Sequence, residues 1–106
     1  MTPALVNVPA KAKRGEAIEI KTLISHPMET GYRHDTNGVA IPRDIIHTFV
    51  CRYNGEEVFR ADLHPAIAAN PFIAFFTVAT ESGVIEFAWT DDHDQTQTHT
   101  ANIVVE

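Results

Sequence analysis

The sequence contains only one cysteine, Cys51, so no disulfide bond can form within the chain. It also lacks a long apolar run, because its longest uncharged apolar tract, residues 66–79, is interrupted by polar residues and proline and is too short to cross a bilayer. The first fifteen residues lack the apolar core of a signal peptide, and their positive charges follow the apolar residues. We therefore expect no membrane span and a chain that, by itself, stays in the cytoplasm.

Basic residues are scarce in the second half of the chain. Residues 54–106 contain one Arg against nine Asp or Glu, whereas residues 1–53 contain seven Lys or Arg against five acids. The negative half would repel nucleic acid, so we expect no nucleic-acid partner. Lys11, Lys13 and Arg14 form a small basic cluster, which we interpret as a solvated turn.

Helical periodicity is absent, and alternation of apolar and polar residues recurs instead. In residues 16–26, Ile18, Ile20 and Ile24 alternate with polar positions, as in a half-buried strand. Similar patterns with turn residues between them predict strands at 5–8, 16–26, 45–53, 57–63, 72–80, 84–90 and around 101–105. About seven short strands in 106 residues predict an all-β, immunoglobulin-like antiparallel β-sandwich, with residues 1–106 as a single domain.

Turn residues mark the connections. Asn54-Gly55 predicts a hairpin between two strands, and residues 27–42, rich in Gly, Pro, Asn and Asp, predict a long loop or small hairpin with positive φ at Asn37-Gly38. The run Asp91, Asp92 and Asp94 lacks the spacing of a calcium loop and indicates a solvated turn.

Six histidines and Cys51 raise the hypothesis of a metal site. No soft ligand follows Cys51 closely in the sequence, and His47 would lie about 13 Å away along a strand. We therefore expect no metal and no cofactor, and we interpret Cys51 as a small buried hydrophobe. The sequence also has neither a nucleophile elbow motif nor a Gly-rich phosphate loop, so we expect no catalytic group.

The predicted strand at 72–80 is apolar on both sides, although an antiparallel strand ordinarily has one wet face. Phe72 and Phe76 belong to one alternating set, and Ile73 and Phe75 to the other. Something must cover the second face, either a partner or the chain's own loop at 27–42.

Three runs, IEIKTLISHPMETGYRHD, IPRDIIHTFVCRYNGEEVFRADLHPAIAANPFIAFF and FAWTDD, closely resemble the SoxZ family, the Z subunits of bacterial sulfur-oxidation (Sox) carrier complexes. The resemblance implies a noncatalytic subunit that pairs with SoxY, whose C-terminal cysteine carries the sulfur intermediates in thiosulfate oxidation. It also implies transient contact with other Sox enzymes and a periplasmic location, reached by export together with SoxY.

From these patterns we predict that the apolar segment 64–76 contributes the surface that meets SoxY. The alternative function is a small His/Cys metal-binding redox protein on the same sandwich. The predicted interface residues are His64, Pro65, Ile67, Pro71, Phe72, Ile73, Phe75 and Phe76.

Overall fold

The computed structural model describes residues 4–65, 67 and 69–106, which form strands and turns. Within these residues there is no helix that could span a membrane. The strands are β1 (Ala4–Asn7), β2 (Lys11–Ala12), β3 (Ala17–Ile24), β4 (Ile46–Tyr53), β5 (Glu56–Asp62), β6 (Phe72–Val78), β7 (Gly83–Asp91) and β8 (Thr96–Val105).

The strands form a three-stranded sheet in the order β1-β3-β6 and a five-stranded sheet in the order β2-β8-β7-β4-β5. Neighbouring strands are antiparallel, except that β2 runs parallel to β8. Two sheets that enclose one hydrophobic core make a β-sandwich. The predicted all-β, immunoglobulin-like fold is confirmed.

The core is supplied by alternate residues of each strand. Ile18, Ile20 and Ile24 of β3 are at most 2% exposed, whereas residues 17, 19, 21 and 23 of the same strand point outward. The ring of Phe49 lies at the centre, with ring-centroid distances of 5.4–6.3 Å to its aromatic neighbours. Those neighbours are Phe59, Phe75, Phe87 and Trp89.

The segment Glu29–Asp44, here called the arm, is a small hairpin. At its tip the Asp35 carboxylate accepts hydrogen bonds from the amides of Asn37 and Val39, at 2.8 and 3.0 Å. Positive φ was predicted at both Asn37 and Gly38, but among the two only Gly38 has it, with a φ of 79°. These two hydrogen bonds hold the turn at residues 35–39 in place, so one residue with positive φ, Gly38, is enough to reverse the direction of the chain.

The arm is fastened to the sandwich by Asp92. Arg43 donates two hydrogen bonds to the Asp92 carboxylate, both at 2.8 Å, and the Ile45 amide donates a third at 3.1 Å. The Arg43 guanidinium holds the pKa of Asp92 below its ordinary value. The predicted turn is present at residues 91–94, but the Asp92 side chain is only 14% exposed and is paired with Arg43, so this residue is not solvated as the sequence interpretation had it.

Two features of the strand pattern differ from the prediction. The two-residue strand β2 was missed, since a strand of that length is too short to alternate. Strand β8 begins at Thr96, earlier than the predicted apolar stretch, because its first half is polar on both faces and has no apolar alternation. The Asn54-Gly55 hairpin is confirmed, with φ of 49° and 85°.

Candidate partner interface

Part of the predicted interface lies on the surface. Phe72 and Phe76 are 61% and 62% exposed, and Ile67 is 38% exposed. His64 is exposed and Pro65 is half-buried. Two alanines of the same apolar connection, residues 66 and 68, lie outside the described residues.

The other predicted residues face inward. Phe75 is 8% exposed and stacks on Phe59 with ring centroids 4.3 Å apart. Pro71 is buried, and Ile73 is half-buried against the core. Pro71 and Phe75 therefore have little surface to offer a partner, and they support the fold instead.

Asn70 fixes which residues of β6 point outward. Its side-chain Oδ1 accepts a hydrogen bond from the backbone amide of His26 at 2.9 Å, and its backbone amide donates a hydrogen bond to the His26 carbonyl at 2.7 Å. The Ile24 amide then donates to the Pro71 carbonyl at 3.3 Å, which places Leu23 opposite Phe72. A shift of one residue would exchange the two faces of β6, so this attachment decides which aromatic rings are exposed.

The outward apolar residues of the three-stranded sheet form a surface that we call the apolar face. Leu5, Leu23 and Phe72 lie opposite one another on successive strands, and they border a depression of about 290 Å³. Along the edge strand β6, each outward side chain is apolar. The apolar face comprises Leu5, Leu23, Phe72, Ala74, Phe76 and Val78.

The predicted interface omitted four members of the apolar face, namely Leu5, Leu23, Ala74 and Val78. Leu5 and Leu23 are 69% and 36% exposed, and Val78 is 50% exposed. Their apolar character was visible, but a single Leu in an amphipathic strand is unremarkable until the register places three such residues side by side. Only the pairing of the strands reveals the row.

The apolar face is not covered by the chain's own loop. The arm instead meets the turn after β7 through Arg43 and Asp92, and Phe72 and Phe76 remain more than half exposed. The alternative of a strand covered by residues 27–42 is therefore wrong. One exposed ion pair, Lys21 with Glu19 at 3.6 Å, interrupts the face on β3.

The outer face of the five-stranded sheet has the opposite character. Arg52 lies 3.8 Å from Glu86, and the hydroxyls of Thr90 and Thr96 are 2.9 Å apart. Strand β8 adds further outward Thr residues. Such a surface is well solvated, so the two faces of the sandwich differ in what they can bind.

One cluster has the composition of a metal site. Among the described residues, ligand atoms of His26, Asp44 and Asp91 lie within 4.8 Å of one another. However, the Met28 amide donates a hydrogen bond to His26 Nδ1 at 3.0 Å, so the neutral ring carries its proton on Nε2. That nitrogen faces Asp44 Oδ1 at 3.8 Å. A metal at Nε2 would require the ring proton on Nδ1, where it would oppose the Met28 N–H, so the hydrogen bond from Met28 disfavours a metal at this nitrogen.

Cys51 is inaccessible. Its side chain is fully buried in the core, and desolvation raises the pKa of the thiol to about 12. The thiolate is the reactive form of cysteine, so Cys51 in this position is a poor nucleophile and a poor ligand. This agrees with the interpretation of Cys51 as a small buried hydrophobe.

Solved structures share the fold. A superoxide reductase (neelaredoxin) from Ignicoccus hospitalis is similar with a TM-score of 0.76 and 17% identity, over 97% of this chain and 80% of that one. The sulfur carrier protein SoxY from Chlorobium limicola f thiosulfatophilum has a TM-score of 0.66 and 10% identity, over 97% and 78%. At these identities the similarity shows the fold alone.

Sequence comparison is more specific. Among curated proteins there is no significant match. A family described as "Sulphur oxidation protein SoxZ" matches residues 6–102, which is nearly the whole chain and includes β3, β6 and the connection between β5 and β6. The chain therefore belongs to the SoxZ family of sulfur-oxidation proteins.

Proposed function

We propose that this chain is the noncatalytic subunit of a SoxYZ sulfur carrier and that it binds SoxY through the apolar face. The observation that carries the proposal is the exposure of Phe72 and Phe76, at 61% and 62%, in a row of apolar side chains on one sheet. Contiguous apolar surface of this kind marks a binding site in a folded domain.

The energetics favour a protein partner over solvent. Burying a large apolar side chain contributes about 1.5–3 kcal/mol, so the two Phe rings and the neighbouring Leu side chains give a strong driving force. They would form the central anchors of an interface, with Lys21 and Glu19 available for polar contacts beside them.

The chemistry of the carrier then resides on SoxY. Cys51 of this chain is buried in mid-strand, so it cannot be reached by the enzymes that visit a carrier thiol. In this proposal, thiosulfate-derived intermediates are attached to the C-terminal cysteine of SoxY, and this chain supports that subunit. The proposal includes a periplasmic location, export together with SoxY and transient contact with other Sox enzymes.

The alternative, a small redox protein with a His/Cys metal site, has less support. Cys51 lies in the core, and the hydrogen bond from Met28 occupies Nδ1 of His26. Elemental analysis of the purified chain separates the two functions, since stoichiometric copper or iron is expected only for the redox protein.

The proposal is tested by placing a charge on the apolar face. In Phe76→Asp, a partner would bury an unpaired carboxylate, at a cost of several kcal/mol of binding free energy. We expect the variant to fold normally by circular dichroism and to lose copurification with SoxY.

Two further variants serve as controls. Val84→Asp changes a residue that is 43% exposed on the outer face of the other sheet, so it should still bind SoxY. Phe75→Asp puts the charge in the core and should unfold the chain. Normal SoxY binding by folded Phe76→Asp would show that the interface lies elsewhere.

A further inference from the structure

Strand β6 has a free edge as well as an apolar face. It is the last strand of the order β1-β3-β6, so only one of its sides is paired. Pro71 and Ala79 direct their backbone groups toward β3, as shown by the bonds Ile24 N to Pro71 O and Ala79 N to Glu16 O, at 3.3 and 2.8 Å. Because these directions alternate along a strand, the amides and carbonyls of residues 72, 74, 76 and 78 point toward the free edge.

This edge lacks the usual protection against strand pairing. Residues 71–80 contain no charged side chain, and the pairing of β6 with β3 has no bulge. The other three edges differ. Strands β1 and β2 have four and two residues, and β5 contains Glu56, Glu57, Arg60 and Asp62 beside a bulge in its pairing with β4. Short strands, charged side chains and bulges are the features by which proteins prevent unwanted pairing between sheet edges.

We propose that a second copy of this chain pairs with β6 along its free edge, antiparallel and centred on Phe75. In that register Phe72 lies opposite Val78 of the other copy, and Ala74 lies opposite Phe76. All four edge-facing residues then exchange two hydrogen bonds with their counterparts.

The side chains are compatible with this pairing. On the outer side, Phe72 meets Val78, an aromatic and β-branched pair of the kind that stabilises sheets, and Phe76 meets the small side chain of Ala74. No like charges are brought together, because the strand has none. β6 of a second copy fits this edge, because it has the same length and brings no charge to it.

The inference goes beyond the proposed function, because it uses the edge of β6 and leaves the apolar face open. Pairing joins the three-stranded sheets of two copies into one continuous sheet. The two apolar faces then lie side by side, each available to its own partner. Failure of either proposal leaves the other intact, since one concerns the isolated chain and the other its complex with SoxY.

The test is the mass of the isolated full chain in solution. By sedimentation equilibrium we expect a species of twice the 11.8 kDa monomer mass at micromolar concentration. Ala74→Pro removes an amide that points to the free edge and keeps an apolar side chain, so it should return the mass to that of the monomer. Ala74→Val keeps the amide and should remain dimeric.

Hydrogen exchange of the unaltered chain gives a measure that does not depend on any variant. The amides of residues 72, 74, 76 and 78 should exchange at least about tenfold more slowly in the dimer than on dilution to the monomer. A chain that stays monomeric at high concentration would overturn the inference. So would a dimer in which these four amides exchange as fast as in the monomer.

Discussion

Phe75 and Phe76 are neighbours in the chain with opposite environments. Phe75 stacks on Phe59 in the core, whereas Phe76 is 62% exposed. The sequence predicts that β6 is apolar on both sides but does not decide which side is inward, because hydrophobic periodicity gives no preference when both sets are apolar. The decision comes from contacts between distant parts of the chain, namely the attachment of Asn70 to His26 and the pairing of Ile20 with Phe75 in the register that this attachment sets.

Cys51 could be interpreted correctly from its sequence position alone. It lies in a β-branched and aromatic strand, where a thiol packs as a small apolar group. The sequence could not predict how far burial shifts its ionisation, since that depends on the sheet opposite.

Cys51 should make stability depend on alkaline pH. Its folded pKa, about 12, lies above the ordinary value of 9.0, so between these values the unfolded thiol loses its proton while the folded thiol keeps it. The free energy of unfolding therefore falls as pH rises from 9 toward 12, by at most about 1.4 kcal/mol per pH unit. Urea unfolding of the chain and of Cys51→Ser across this range measures the difference.

The Ser variant should show a shallower decline, because a hydroxyl does not titrate there. It should also leave thiosulfate oxidation by a reconstituted Sox system nearly intact. Parallel pH profiles for the two proteins would mean that the thiol is less buried than the structure indicates, and lost oxidation with an assembled complex would assign Cys51 a redox role.

At the scale of elements, local turn signals predicted more than long-range attachments. Asn54-Gly55 predicted its hairpin because positive φ is a property of the residues themselves. The attachment of the arm could not be predicted, since Arg43 and Asp92 lie 49 residues apart in the sequence. The same holds for the row of Leu5, Leu23 and Phe72, which exists only once three strands are in register.

Asp92→Asn should loosen the arm without unfolding the sandwich. The substitution removes the charge that orients Arg43, while the aromatic core around Phe49 is unchanged. We expect trypsin to cleave after Arg33, in the arm, several-fold faster than in the original protein. Glu57→Gln, which affects an ion pair with Arg60 on the other edge of the molecule, is the matched control.

The same attachment should weaken in acid. Because the folded pKa of Asp92 lies below its ordinary value, the Asp92 carboxylate contributes to the stability of the arm above the ordinary pKa, and this contribution is lost as pH falls through the folded pKa.

Equal cleavage rates for Asp92→Asn and the original chain would indicate that the arm is held by other contacts, such as the pairing of Glu29 with Asp44.

The whole molecule is elongated, with extents of 59 × 19 × 19 Å. Its radius of gyration is 16.1 Å, against about 13 Å for a compact domain of this length. Sequence patterns predicted the sandwich but not this shape, which depends on how the strands and the arm are aligned. An elongated domain exposes more surface than a sphere of the same mass, which gives this small chain more room for an interface.

If export depends on SoxY, a change on the apolar face should alter the location of the chain. In cells that express SoxY, Phe76→Asp should accumulate in the cytoplasm, whereas Val84→Asp should reach the periplasm in normal amount. Fractionation with antibody detection of both subunits measures this. Periplasmic Phe76→Asp, with SoxY binding lost, would indicate a separate export route.

The burial of Cys51 has a consequence for sulfur transfer within a carrier complex. Thiol–persulfide exchange requires an accessible thiolate, and a thiol that is sealed in a core and protonated at neutral pH can neither accept nor release a sulfane sulfur atom. If the intermediates travel on a cysteine of SoxY, this chain adds a large surface to the carrier without adding a competing acceptor. Every sulfur atom loaded onto the complex would then stay on the SoxY cysteine, where each successive enzyme can act on it.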